Sequence, residues 1–158
     1  MKWQELVEEK SLQDLPFKIE LNRWEQLVMS PARIKHGSYQ AMIVRLLERL
    51  RPEGHVVTEG PIETPENIKV PDVMWLTKER YDRLIDEDVF SIAAEVCIEV
   101  LSPSNSMDEM TRKKTLYFEC GAEEVWMCDG NGGMTFFSRA GEIKASILIP
   151  NFPLCIQL

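Results

Sequence analysis

Between Ser30 and Pro52 the apolar residues Tyr39, Met42, Ile43, Leu46, Leu47 and Leu50 recur at intervals of three and four, one continuous stripe on a helix. Ser30 as N-cap and Pro31 at the first helical position mark its start, and Pro52 stops it. Upstream the period changes to two. "FKIEL" and "EQLVM" alternate apolar and polar residues around "NRW", which predicts a β-hairpin, with "WQELVEEK" before it as a short helix. Downstream, "HVVTEG" and "VPDVMWL" read as strands separated by the turn-rich "PIETPEN", and "KERYDRLIDEDV" as a helix with a loose end. The nearly continuous apolar run of "AAEVCIEVLS" predicts a strand buried on both faces. "MDEMTRKKTLYFECG" is a helix ending at Gly121 as a C-cap. "EEVWMCD", "MTFFSR", "EIKASILI" and "PLCIQL" form a β-rich tail, with "GNGG" as a hairpin turn. Helices and strands intermixed around one buried strand predict an α/β (α+β) domain with a mixed sheet. At 158 residues, without repeats or linkers, residues 1–158 are read as one domain with one core.

One residue breaks the strongest strand. Glu99 lies between Ile98 and Val100, and a carboxylate in a dry interior is costly unless it has partners. Asp72 stands at the start of another apolar strand, so two strands paired in one sheet would bring the two acids together. Lys113 follows on the next helix, where Glu109, Lys113 and Tyr117 are spaced four apart and share a face. Two carboxylates and an ammonium are the minimum set for metal-assisted phosphodiester hydrolysis. The acids hold a hard Mg²⁺ or Mn²⁺, the metal activates water, and the lysine orients that water or stabilises developing charge. Plainer readings stand beside this one: Asp72 as a Pro-Asp turn residue, Glu99 paired with Lys113 or with the "SPSN" backbone, and Lys113 on a solvated helix face. Glu95 shares the parity of Glu99 but lies roughly 13 Å away along the strand, so it is read as a strand-entry residue and not a ligand. Trp75 and Trp126 are read as core aromatics, and Arg45 and Arg49 as solvated or phosphate-contacting arginines.

Composition narrows the field. A 44% hydrophobic and 28% charged chain is that of an ordinary globular protein, and no window reaches the ~20 apolar residues of a membrane span. "MKWQELVEEK" lacks the apolar stretch of a signal peptide, which leaves the cytoplasm as the expected compartment. Four cysteines without CxxC spacing and two histidines argue against a zinc site. The net charge of −8 argues against broad attraction to nucleic acid, but it is uneven. Residues 31–52 carry five Lys/Arg against one acid, and residues 53–99 carry twelve acids against four bases.

The order "IEL…EQLVMSP…H", "PDV", "IEVLSPS" and "KKTLYFECGAEEVWMCD" resembles the Uma2 family of the PD-(D/E)XK nuclease superfamily over roughly residues 17 to 137. The resemblance implies a restriction-endonuclease-like core, a mixed central sheet flanked by helices and preceded by the hairpin. It implies Asp72 and Glu99 as metal-binding acids and Lys113 as the catalytic amine, and on this reading Glu99 is expected at a sheet edge. Glu20 and His36 match further recurring positions, Glu109 and Tyr117 flank the lysine, and Lys114 is the reserve amine. The lysine that the superfamily usually carries two residues after the second acid is Leu101 here, so the amine is expected from the helix instead. The expected function is a Mg²⁺- or Mn²⁺-dependent endonuclease acting on DNA, with a homodimer as its form and no membrane partner. Two alternatives remain open at this point: an inactive nuclease-fold assembly or nucleic-acid-binding protein, and a hydrolase of small phosphate compounds.

Overall fold

A computed structural model describes residues 1–158. Its centre is a six-stranded sheet built on the run that the sequence marks as doubly buried. That strand, β7 (Val96–Val100), is buried at all five positions. The preceding elements are α1 (Trp3–Glu8), β1 (Phe17–Leu21), β2 (Leu27–Pro31), α2 (Ile34–Leu50), β3 (His55–Thr58), β4 (Ile62–Thr64), β5 (Asn67–Lys69), β6 (Val73–Leu76) and α3 (Lys78–Leu84). After β7 come α4 (Met107–Glu119), β8 (Glu124–Cys128), β9 (Met134–Ser138) and β10 (Gly141–Ile143). The strand order is β10-β9-β8-β7-β6-β3. Only β7 and β8 are parallel, joined by α4 as their crossover helix; every other neighbouring pair is antiparallel.

Alternation along the strands divides the core into two layers. Val73, Trp75, Val96, Ile98, Val100 and Trp126 face α2, where Tyr39, Ile43 and Leu47 of the sequence stripe are buried against them. Burying each large apolar side chain contributes on the order of 1.5–3 kcal/mol, so this stripe is what fixes α2 to the sheet. Met74, Leu76, Cys97 and Val125 face the other way and pack with Leu84, Tyr117 and Ala122. Glu99 has the parity of Cys97, so it projects to the α4 side. Gly121 closes α4 at φ 103°, a left-handed conformation that glycine adopts without strain. Trp75 and Trp126 are fully buried, as expected of core aromatics. No helix is long and apolar enough to cross a membrane.

Four local expectations are corrected. Ser30 and Pro31 end β2 instead of opening the helix, with Pro31 opposite Phe17, and α2 starts at Ile34 after Arg33. A proline at the end of an edge strand loses no ladder hydrogen bond, so the same dipeptide serves either purpose. "PIETPEN" is not a bare turn: β4 and β5 pair as a small hairpin, with Ile62, Thr64 and Ile68 buried and Asn67 at φ 71°. "EIKASILI" contributes only β10, and "PLCIQL" only a bridge between Gly133 and Cys155. Those segments act by burial, through Ile149, Phe152 and Ile156. Glu99 lies on an interior strand of the sheet and not at its edge.

Candidate active site

The register of β6 against β7 sets Val73 opposite Ile98, and one step further brings Asp72 beside Glu99. Asp72 precedes β6 in a bend and accepts the Val100 N–H at 2.8 Å through Oδ2. The two carboxylates are 1% and 2% exposed, so each needs partners. Helix α4 supplies those of Glu99. Ser106 caps it by accepting the Glu109 N–H at 3.1 Å, and the face carrying Lys113 and Tyr117 turns inward. The Tyr117 hydroxyl donates to Glu99 Oε1 at 2.6 Å, and the Lys113 Nζ lies 3.6 Å from the same oxygen. Lys113 donates at 2.7 Å to Glu20 Oε1, and Glu20 Oε2 accepts the Val70 N–H at 2.8 Å. Glu20 comes from β1, which with β2 forms a separate hairpin laid beside β5.

Strand parity on β1 brings in a residue that the sequence analysis passed over. Lys18 shares the face of Glu20, and its Nζ lies 3.0 Å from Asp72 Oδ1 and 3.4 Å from Glu99 Oε2. From the start of α2, His36 Nε2 reaches within 3.3 Å of Asp72 Oδ2. The cluster forms the floor of a cleft of about 760 Å³ walled by β1, the start of α2 and the loop after β7, including Phe17, Arg33, Gln40 and Asn105. Asp72, Glu99, Lys113, Glu20, His36 and Tyr117 thus converge, with Lys18 added.

Other expected residues stand apart. Lys114, one position on from Lys113, points away, with its ammonium 4.1 Å from the centre of the Phe137 ring, so it is no reserve amine. Glu109 is half-buried and bonds no member of the cluster through its side chain. Glu95 accepts from the Thr77 N–H and hydroxyl and pairs with Arg80, a structural anchor for α3. Arg45 and Arg49 are exposed on α2 and do not line the cleft.

Charge balance sets the protonation pattern. Burial alone would push Asp72 up, but His36, Lys18 and the Val100 N–H hold it well below the usual carboxylate range. Burial pushes Glu99 above its ordinary value, against the pull of Lys113 and Lys18. Burial opposes charge on Lys113 too, yet Glu99 and Glu20 raise it, so the amine stays protonated at neutral pH. A protonated amine can orient a water or stabilise negative charge but cannot take a proton. The hydrogen bond to Asp72 raises His36, with burial opposing. The sign follows: the His36–Asp72 pair stabilises the fold fully below the ordinary histidine pKa of about 6.5, and that contribution is lost as pH rises through the raised folded value. His36→Gln is therefore expected to cost stability below pH ~6 and progressively less towards pH 9. Denaturant melts of both proteins across that range measure it, and a pH-independent difference would refute the pairing.

The donor set fits a hard divalent cation. Asp72 Oδ1 and Glu99 Oε2 both lie within 3.4 Å of a single point, the Lys18 nitrogen. Two protein carboxylates converge there, and no group of three or more His, Cys, Asp or Glu side chains does. Hard divalent cations are held through carboxylate oxygens, so Asp72 and Glu99 are the residues here that could hold one.

The arrangement is a mixed sheet carrying two acids and an amine at the floor of a cleft, and the fold has a known parallel. The solved structure titled "a putative nuclease belonging to DUF820", from Anabaena variabilis ATCC 29413, superposes with a TM-score of 0.75 over 98% of this chain and 94% of that one, at 17% sequence identity. Residues 6–144 match Uma2, described as "Putative restriction endonuclease", and the chain belongs to that family. No curated protein matches it.

Proposed function

We propose that the chain is a Mg²⁺- or Mn²⁺-dependent endonuclease that hydrolyses phosphodiester bonds of DNA, acting as one domain over residues 1–158. The observation that carries this is the approach of Asp72 and Glu99, from separate strands, to one point beside the protonated Lys113. Asp72 and Glu99 would hold the metal, which neutralises phosphate charge and acidifies its bound water. Lys113, fixed by Glu20, sets a positive charge beside Glu99, where it can orient the attacking water and stabilise the developing phosphorane charge. Tyr117 holds the Glu99 carboxylate in orientation, and Val100 does the same for Asp72. Family membership supports the substrate class. A homodimer would set one such site against each strand of a duplex, and a homodimer is the form proposed, with the cytoplasm as its compartment. A second reading, a nuclease fold that binds without cutting, draws on the pairing of both acids with ammoniums.

The test combines Mn²⁺ calorimetry with a plasmid-nicking assay on wild type and Glu99→Ala. Metal-dependent nicking that EDTA stops, together with Mn²⁺ binding, both absent from the variant, is the expected result. Equal Mn²⁺ binding by the two proteins would remove Glu99 from the site. Mn²⁺ binding by wild type without cleavage would favour the second reading.

A further inference from the structure

The charged group nearest both Asp72 and Glu99 is not Lys113. Lys18 Nζ donates at 3.0 Å to one acid and at 3.4 Å to the other, and has no other acceptor. We propose that Lys18 keeps the metal's place: its ammonium balances the two carboxylates in the metal-free protein and gives way when a divalent cation binds. This rests on the reading of Asp72 and Glu99 as metal-binding acids.

Three observations carry it. The first is geometric. The point on which the two carboxylate oxygens converge is already taken by a cation, and two cations within a few ångströms of each other in a poorly solvated site repel strongly. A metal bound between these oxygens and an ammonium in its present position exclude one another.

The second is charge. Glu20, Asp72 and Glu99 face Lys18 and Lys113, which leaves the cluster one negative charge with His36 neutral. Exchanging the Lys18 ammonium for a divalent ion brings it to neutrality. Without either cation, the facing oxygens Asp72 Oδ1 and Glu99 Oε2 would have no positive partner between them. Two nearly inaccessible carboxylates would then rely on His36, Tyr117, Lys113 and the Val100 N–H alone, which is destabilising.

The third is the different anchoring of the two lysines. Lys113 is 2.7 Å from Glu20, its own acceptor, and only 3.6 Å from Glu99. Lys18 bonds to nothing but the two acids, its side chain is 12% exposed, and it lines the cleft. Lys18 can therefore withdraw towards solvent without breaking any other bond, and Lys113 cannot. Lys18 is in this sense a positioning residue acting through the two acids.

The test titrates Mn²⁺ by calorimetry into wild type, Lys18→Met, Lys18→Gln and Lys18→Arg. The Met and Gln variants are expected to bind about tenfold or more tightly than wild type, because no resident cation is displaced. Lys18→Arg, which keeps a cation there, should bind no more tightly than wild type. A merely structural Lys18 would not raise metal affinity when removed. Equal or weaker binding in both neutral variants overturns the exchange. Absence of binding in all four proteins overturns the metal reading itself, which separates the two failures. Should the neutral variants not fold, the wild-type chain decides. The Lys18 side-chain ¹⁵N–¹H signal, held by two carboxylates, should broaden into solvent exchange on adding Mg²⁺ while that of Lys113 persists. A Lys18 signal unchanged at saturating Mg²⁺ overturns the exchange.

Discussion

Lys113→Met is expected to destabilise the metal-free protein by about 3–5 kcal/mol, the usual cost of removing one partner from a buried ion pair. Lys113 is 6% exposed and holds Glu20 at 2.7 Å, with Glu99 close by. Methionine fills much of the same volume but leaves Glu20 with the Val70 N–H as its one hydrogen bond. The denaturation midpoint should fall with the slope unchanged, since the same surface is exposed on unfolding. Glu20→Gln in the same chain should recover part of the loss, because the orphaned charge goes with it. The pH dependence follows from Glu20, which burial pushes up but Lys113 and Lys18 hold below its ordinary value. A depressed carboxylate contributes stability above its unfolded pKa of about 4.3 and loses it as pH falls. The deficit of the variant should therefore be greatest near neutrality and narrow in acid. A loss under about 1 kcal/mol, the scale of a surface pair, would mean that the ammonium is solvated and not a member of the cluster.

Asp72→Asn is expected to lower metal-dependent cleavage by on the order of a thousandfold while leaving the chain folded, since the site loses a charge that binds the metal. The amide oxygen of asparagine can still accept the Val100 N–H, so the link between the start of β6 and the end of β7 survives. What goes is one negative charge facing Lys18 and His36. The His36 pKa should fall back towards its ordinary value, which proton NMR reads independently of activity. Plasmid cleavage at saturating Mg²⁺ gives the rate. A variant retaining a tenth of wild-type activity would remove Asp72 from the chemistry.

The α2 stripe, the buried β7 run and the α4 face were legible in the sequence because each keeps a strict period over many residues. β4 and β5 were not, because three-residue strands around Thr64-Pro65 carry no readable period and hold their shape through Asn67 and the Thr64 hydroxyl. Glu99 announced itself by interrupting an apolar run. Lys18 did not, since a lysine in an alternating hairpin strand looks like an ordinary solvated residue. The available signal was parity: two residues before Glu20, it had to share that face. Lys114 failed for a related reason, as one step along a helix turns a side chain by ~100°.

The hairpin of β1 and β2 has no strand pairing with the main sheet. It is held by a small apolar cluster around Leu21, Ile68 and Val70, and by Lys18 and Glu20. The charges that furnish the cleft are thus also rivets fastening the first thirty residues to the rest. Amide hydrogens of residues 17–31 should exchange with solvent through openings that leave β7 and β8 protected. Each such opening would carry two of the charged side chains away from the cleft and dismantle the site, well before the sheet itself gives way.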